Sequence, residues 1–211
     1  MKFTRFNFLV VILFLCVLNA HANPKDPNIF YISQGKAVNP WSASLAFEKS
    51  PIKDGKASTI RKSLVFKESD DGFFNLKWHP KKIKNQWGAI DTNILTFNLI
   101  NKMMHANLKS VKQQAAIMLE LRVNRPPKEL VNFTLECNWN WECRDAYPLK
   151  QILRNAPSGE WVTIPIPLSC FSESKIDLSK LTGMMISTIG KLNLDIRAVN
   201  LVSISDNVRG C

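Results

Sequence analysis

The sequence predicts an all-β fold, a β-sandwich with one or two short helices, on three observations. Apolar residues recur at every second position through most of the chain from about residue 60 onward. Segments with a helical period are short and few. Polar turns separate the apolar runs, and no linker, repeat or charge block divides them. At 211 residues, 45% apolar and 21% charged, the chain suits one domain and is too apolar for a disordered class.

The strands follow from the alternation. In Phe73 to Trp78, Phe74, Leu76 and Trp78 share one face, with Asn75 and Lys77 on the other. Ile117, Leu119, Leu121 and Val123 form an inward set, with Glu120 and Arg122 outside; Val131, Phe133 and Leu135 alternate with Asn132 and Thr134. Val162, Ile164, Ile166 and Leu168 alternate with Thr163, Pro165 and Pro167. Proline donates nothing to a ladder, so this strand belongs at a sheet edge. Leu192, Leu194 and Ile196 point one way, and the phase slips near Ala198 as a bulge would cause. The helical candidates are Asn101 to Gln114, a short helix or a long loop, and two turns within Tyr147 to Arg154.

The first residues read as an export signal. Lys2 and Arg5 precede an apolar run from Phe8 to Leu18, too short to span a bilayer as a helix but suited to a signal peptide. The small-x-small pattern at Ala20-His21-Ala22 places the signal at residues 1–22 and cleavage before Asn23, leaving residues 23–211 as one domain, periplasmic or secreted. No later segment is apolar enough to span a membrane. Beyond Cys16, inside the signal, an even number of cysteines remains: Cys137, Cys143, Cys170 and Cys211. In an oxidising compartment they read as two disulfides with three connectivities open. The spacing in CNWNWEC favours Cys137 with Cys143, a closed loop at a strand end. That leaves Cys170 for Cys211, unless Cys211 is free on a frayed terminus. The spacing does not suit zinc.

The C-terminal third is more specific. Trp161-Val-Thr-Ile-Pro-Ile-Pro-Leu-Ser-Cys-Phe171 is followed by Ile176-Asp-Leu178 and by Thr188-Ile-Gly-Lys-Leu-Asn-Leu194. This resembles the ExoP-type galactose-binding-like C-terminal domain of exo-β-glucanases and β-glucosidases of glycoside hydrolase family 3. Upstream, Trp78, Asp91, Arg122-Val123 and the Cys137, Cys143 pair fall in matching order, so the resemblance extends from about residue 35 to about residue 204. It departs at Ser172-Glu-Ser-Lys175 and in the insertion-like stretch from Lys102 to Gln114. The resemblance implies a jelly-roll sandwich in a glycan-related setting. It also implies an accessory module standing alone, because the catalytic domains of those enzymes have no counterpart here. Sandwiches of this class often carry a structural calcium, for which Asp70, Asp71 and Asp91 are the oxygen donors to consider.

Catalytic chemistry has little to build on. His79 precedes Pro80 in a Lys-rich turn, and His105 has no nucleophile signature near it. No Gly-rich phosphate loop and no metal-binding His pair is present, and no carboxylate pair is marked by its context. The chain reads as no enzyme, with no catalytic residue and no metal or cofactor assigned. Binding has more support, because a flat indole covers the C–H face of a pyranose while neighbouring polar groups bond its hydroxyls. Trp139 and Trp141 are two apart, which on an extended segment puts both on one side, in a loop stiffened by the cysteine pair. Asn138, Asn140, Arg144 and Asp145 are polar neighbours, and Trp87 is the next candidate. Trp78 and Trp161 read as packing residues, and Trp41 is ambiguous.

The formal charge of +11 is spread along the chain, densest at Lys77, Lys81, Lys82 and Lys84. Export removes cytoplasmic nucleic acid as a partner, leaving a solvated face or an anionic envelope component. The leading expectation is an exported, non-catalytic module that binds a polysaccharide or oligosaccharide. Its rival is an interaction module that docks on a separate glycoside hydrolase or an envelope component and binds no sugar itself.

Overall fold

The computed structural model describes residues 26–81, 83–204 and Cys211. The export signal expected over residues 1–22, its cleavage position and Lys82 lie outside the described residues. The strands run in chain order as β1 (Phe30–Ser33), β2 (Lys36–Ala37), β3 (Trp41–Leu45), β4 (Ser50–Pro51), β5 (Lys56–Ser58), β6 (Leu64–Ser69) and β7 (Phe73–Trp78). They continue as β8 (Thr96–Asn101), β9 (Ala115–Arg125), β10 (Val131–Cys137), β11 (Asn140–Pro148), β12 (Trp161–Pro167), β13 (Leu181–Thr188) and β14 (Leu192–Ser203). One helix, α1 (Lys150–Asn155), and several single 3-10 turns complete the described elements.

Two antiparallel sheets result. One has the order β12-β9-β14-β7-β6-β5, with β1 and β2 attached through β14; the other has the order β11-β10-β13-β8-β3-β4. Strand parity follows the alternation in the sequence. Phe74, Leu76 and Trp78 of β7, Ile117, Leu119, Leu121 and Val123 of β9, and Val131, Phe133 and Leu135 of β10 are all buried in one core. Phe66 stacks on Phe74 at 4.8 Å, and Phe97 closes on Phe74 at 5.3 Å across the sandwich. Burying each such side chain contributes about 1.5–3 kcal/mol. The two buried indoles also find acceptors: Trp78 Nε1 donates to the Leu95 carbonyl at 2.8 Å, and Trp41 Nε1 to the Pro27 carbonyl at 2.8 Å.

The irregularities are equally specific. β12, with Pro165 and Pro167, is an edge strand paired only to β9. The slip in β14 is a bulge between Ile196 and Ala198. It turns the Arg197 carbonyl to the Gly35 N–H, at 2.9 Å, and the Arg197 guanidinium over the Trp161 ring at 3.9 Å. Trp161 is therefore a sheet-face residue, packed also against Arg122 and Phe73. Gly35 has φ +70°, and a Cβ there would meet the Phe73 backbone at 2.5 Å, so no other residue fits.

Two expectations are refined. The stretch from Asn101 to Gln114 forms no α-helix: Ala106 bridges to Leu181, and only Lys109–Val111 makes a 3-10 turn. Tyr147 stays in β11, and α1 starts at Lys150.

Disulfides join Cys137 to Cys143 and Cys170 to Cys211. The second closes a separation of 41 residues. Replacing both Cys170 and Cys211 by Ser is expected to lower the unfolding free energy by up to about 4 kcal/mol, the loop entropy restored to the unfolded chain. Urea unfolding followed by near-ultraviolet circular dichroism checks this.

Candidate functional site: an aromatic groove on the six-stranded sheet

The site starts from a hairpin that its sequence forces out of regularity. β10 and β11 are joined by Asn138 and Trp139, both in the left-handed region at φ 54° and 50°. Two such residues make the tight turn that matches strand twist; asparagine tolerates this conformation, whereas tryptophan rarely adopts it. The expectation that Trp139 and Trp141 sit on one extended segment is therefore wrong in its geometry. Trp139 is in the turn. Its N–H donates to Thr182 Oγ1 at 2.9 Å, its indole N–H donates to the Asn101 carbonyl at 2.8 Å, and the His105 ring lies 4.6 Å away.

Past the turn the register breaks. Cys137 is opposite Asn140, whereas Glu136 is opposite Arg144, so Trp141, Glu142 and Cys143 have no partners on β10. The Cys137–Cys143 bond spans this bulge with the two Cα atoms 5.3 Å apart. Asn140 shapes its start by accepting from the Glu142 N–H at 3.0 Å. Trp141 is left 72% exposed and Trp139 46%.

Both indoles nevertheless line one cavity of 570 Å³, with Phe47, Glu48, Ile100, Lys102, Glu136 and Arg144. Its floor is the outward face of the sheet, where Arg144, Glu136, Gly183 and Ile100 stand in register across β11, β10, β13 and β8. Gly183 keeps the floor low: a Cβ there would press to 3.2 Å from that of Glu136. Arg144 donates through Nε to Glu136 Oε2 at 2.7 Å, with a second donation from an Nη to the same oxygen. Lys102 pairs with Glu48 at 2.8 Å. The turn between β3 and β4 places Ala46, Phe47 and Glu48 all at positive φ, and Phe47 lies 4.9 Å from the Arg144 guanidinium. Beyond Phe47 a second cavity of 460 Å³ shares Phe47, Trp141 and Arg144 and continues to Asp91, Asn93 and Ile94. Together they form one groove along the sheet, each part within the usual range of ligand sites, about 300–1,000 Å³.

Among the residues singled out from sequence, Trp139, Trp141 and Arg144 meet in the groove. Asn138 is a turn residue whose N–H donates to the Lys180 carbonyl. Asp145 lies outside the cavity and accepts from the Ser172 N–H at 2.8 Å, with Lys175 at 3.4 Å, anchoring the 172–175 loop. Trp87 is 80% exposed in a separate hairpin and lines neither cavity. Asp70 and Asp71 sit at the end of β6, whereas Asp91 caps a 3-10 turn through the Asn93 N–H; no group of three metal-binding side chains occurs among the described residues. Sequence reasoning missed Phe47, Glu48, Ile100, Lys102 and Glu136. Phe47, at the end of the apolar run Leu45-Ala46 and beside Glu48 and Lys49, was the one available signal.

The two tryptophans differ in how they are held, and this yields a test. Trp139→Ala removes a hydrogen bond and a ring contact and is expected to lower stability by about 1–2 kcal/mol. Trp141→Ala is expected to change it by less than about 0.5 kcal/mol, as at other exposed positions. Thermal denaturation of the two variants checks both values.

Comparison with known proteins agrees with this architecture. Residues 86–201, more than half of the chain, match the family model of the ExoP C-terminal domain, described as galactose-binding domain-like. The exo-1,3/1,4-β-glucanase ExoP from a Pseudoalteromonas species superposes with a TM-score of 0.58 at 16% identity, over 88% of this chain and 22% of that chain. This chain thus spans about a fifth of that enzyme. The extra C-terminal domain of the same glucanase superposes with a TM-score of 0.53 at 17% identity, over 84% of this chain and 94% of that chain. No curated protein matches the sequence. With the family model spanning β8 to β14 and the sandwich shared with the glucanase's extra domain, the chain belongs to the ExoP C-terminal galactose-binding domain-like family.

Proposed function

We propose that the chain is an exported, non-catalytic carbohydrate-binding module that takes a neutral β-linked glucan in the groove walled by Trp139 and Trp141. The observation that carries this reading is the convergence of the two indoles, from a strained turn and a clamped bulge, on one open cavity edged by ion pairs. An exposed indole offers the flat apolar face that a pyranose ring covers. The ion pairs offer hydroxyl partners of both kinds: free N–H groups on Arg144 and Lys102, and carboxylate oxygens on Glu136 and Glu48. Rigid side chains lose little entropy on binding, which favours a clamped site over a mobile one. The substrate named for the related glucanase makes a 1,3/1,4-β-glucan the first ligand to offer.

Glycoside cleavage needs one carboxyl as proton donor and a second at a set separation. Both carboxylates that line the cavity with the tryptophans are committed to cations, which supports binding over turnover. The two disulfides support export to an oxidising compartment. No helix among the described residues is long and apolar enough to cross a membrane.

Retardation in native gels containing soluble 1,3/1,4-β-glucan tests the proposal. The expected affinity is around millimolar, about −4 kcal/mol. Trp141→Ala should abolish retardation with an unchanged thermal midpoint. Retardation that survives in this variant contradicts the site. A blank gel together with a stoichiometric protein partner from an envelope extract contradicts sugar binding itself.

A further inference from the structure

The end of the sandwich opposite Trp139 carries a second surface of different chemistry. β10 runs from Val131 at this end to Cys137 at the other, so Leu130 and the Trp139 turn are about 20 Å apart at a strand rise of about 3.3 Å per residue, with the second cavity of the groove between them. Three connections meet here: residues 79–81 and 83–95 between β7 and β8, residues 126–130 between β9 and β10, and residues 189–191 between β13 and β14. Lys77, Asn193 and Arg125 lie in one cross-strand row at its edge.

Two kinds of side chain stand out. Lys77, Lys81, Lys84, Arg125, Lys128 and Lys191 are all exposed, and none joins an ion pair among the described residues. The acids of these connections are Glu129 and Asp91, and Asp91 is engaged by the Asn93 N–H. His79 is held below its usual range, first by desolvation and then by Lys191, Lys81, Arg125 and Lys77, so these cations share one space.

The same connections carry large apolar groups open to solvent: Trp87 at 80%, Leu130 at 52%, Ile189 at 42% and Ile90 at 38%. Leu130 and Ile189 line one shallow cavity with Thr92 and are tied by Thr188 Oγ1, which donates to the Leu130 carbonyl at 2.7 Å. Trp87 stands at the tip of a small hairpin closed by the Lys84 and Ile90 bridge, whose base leads into Thr92.

We propose that this end is a docking surface for an anionic lipid bilayer, with Trp87, Ile90, Leu130 and Ile189 entering the interface and the surrounding lysines meeting lipid headgroups. Interfacial binding combines buried apolar area with attraction to anionic lipid, and both are supplied on one end of one fold. Tryptophan is the side chain best matched to the headgroup level. A soluble polyanion would use the lysines and leave exposed leucine and isoleucine without a role. The bilayer is therefore the better partner. The Trp139 part of the groove lies away from this surface, while its second cavity borders it at Asp91 and Asn93.

Co-sedimentation of the oxidised protein with vesicles tests this, using phosphatidylcholine alone or in equal parts with phosphatidylglycerol. The protein is expected to sediment with the anionic vesicles, not the neutral ones, and to be released by salt. Lys81→Glu, Lys84→Glu and Lys191→Glu together should weaken binding about a hundredfold. Trp87→Ala should weaken it about tenfold. A charge-matched control, Lys53→Glu, Lys56→Glu and Lys67→Glu on β5 and its neighbours, should bind as the parent does. Equal loss in the control, no loss in the Lys81 set, or capture by dextran sulfate without vesicle binding overturns the proposal. Glucan retardation unchanged in the Lys81 set separates its failure from that of the sugar site.

Discussion

The clamped bulge of β11 against β10 is the constraint on which the groove depends. A regular hairpin through CNWNWEC would pair Trp141 and Cys143 across the ladder and fix the direction of each side chain by strand parity. With three residues of β11 unpaired, parity is lost, and the Cys137–Cys143 bond replaces the missing ladder as the element that holds the strand. Trp139 depends on the same device from the other side. Its left-handed backbone is costly for a bulky residue and persists because Thr182, Asn101 and His105 hold its amide, indole N–H and ring. The strain thus falls on an aromatic at the edge of the groove where sugar binding is proposed.

The rest of the sandwich acts as the rigid support for this hairpin. β13 lies between β10 and β8, and its Gly183 lets the Arg144–Glu136 pair sit on the sheet rather than above it. The β3–β4 turn then brings Phe47 over Arg144 from four strands away. A cation held between an aromatic ring and a carboxylate keeps a fixed geometry, and Arg144 so held lines both cavities. The eight-stranded sheet carries a comparable cluster, Arg122 and Arg197 on Trp161, but there Asp195 and Glu120 pair with the cations and the guanidinium groups lie over a half-buried indole. Packing and presentation thus use the same residue types with different degrees of cover.

Much of the fold was legible because strand parity is a local property. The alternation from Phe73 to Trp78 and from Ile117 to Val123 names the inward residues without any knowledge of partners, the prolines of β12 identify an edge, and the slip near Ala198 marks the bulge that re-aims Arg197. The groove was legible only in part. Trp139, Trp141 and Arg144 could be found from composition and spacing, but their relative placement depends on a left-handed turn and a broken register that no periodicity records. Phe47, Glu48 and Lys102 reach the site through tertiary approach, and Glu136 and Ile100 were hidden because parity gives a face and not what lies above it. Asp145 is misplaced for a different reason: next to Arg144 in the paired part of β11, opposite Leu135, it falls on the other face by parity, and its carboxylate accepts from a backbone N–H 27 residues further along the chain.

The most direct test of the central claim is a titration of the indole N–H resonances with a 1,3/1,4-β-gluco-oligosaccharide in a nitrogen-15 correlation spectrum. The groove account predicts that the Trp141 and Trp139 signals move together and saturate, while those of the buried Trp41 and Trp78 stay fixed. Movement confined to Trp87 or Trp161, or none at saturating sugar, would contradict it.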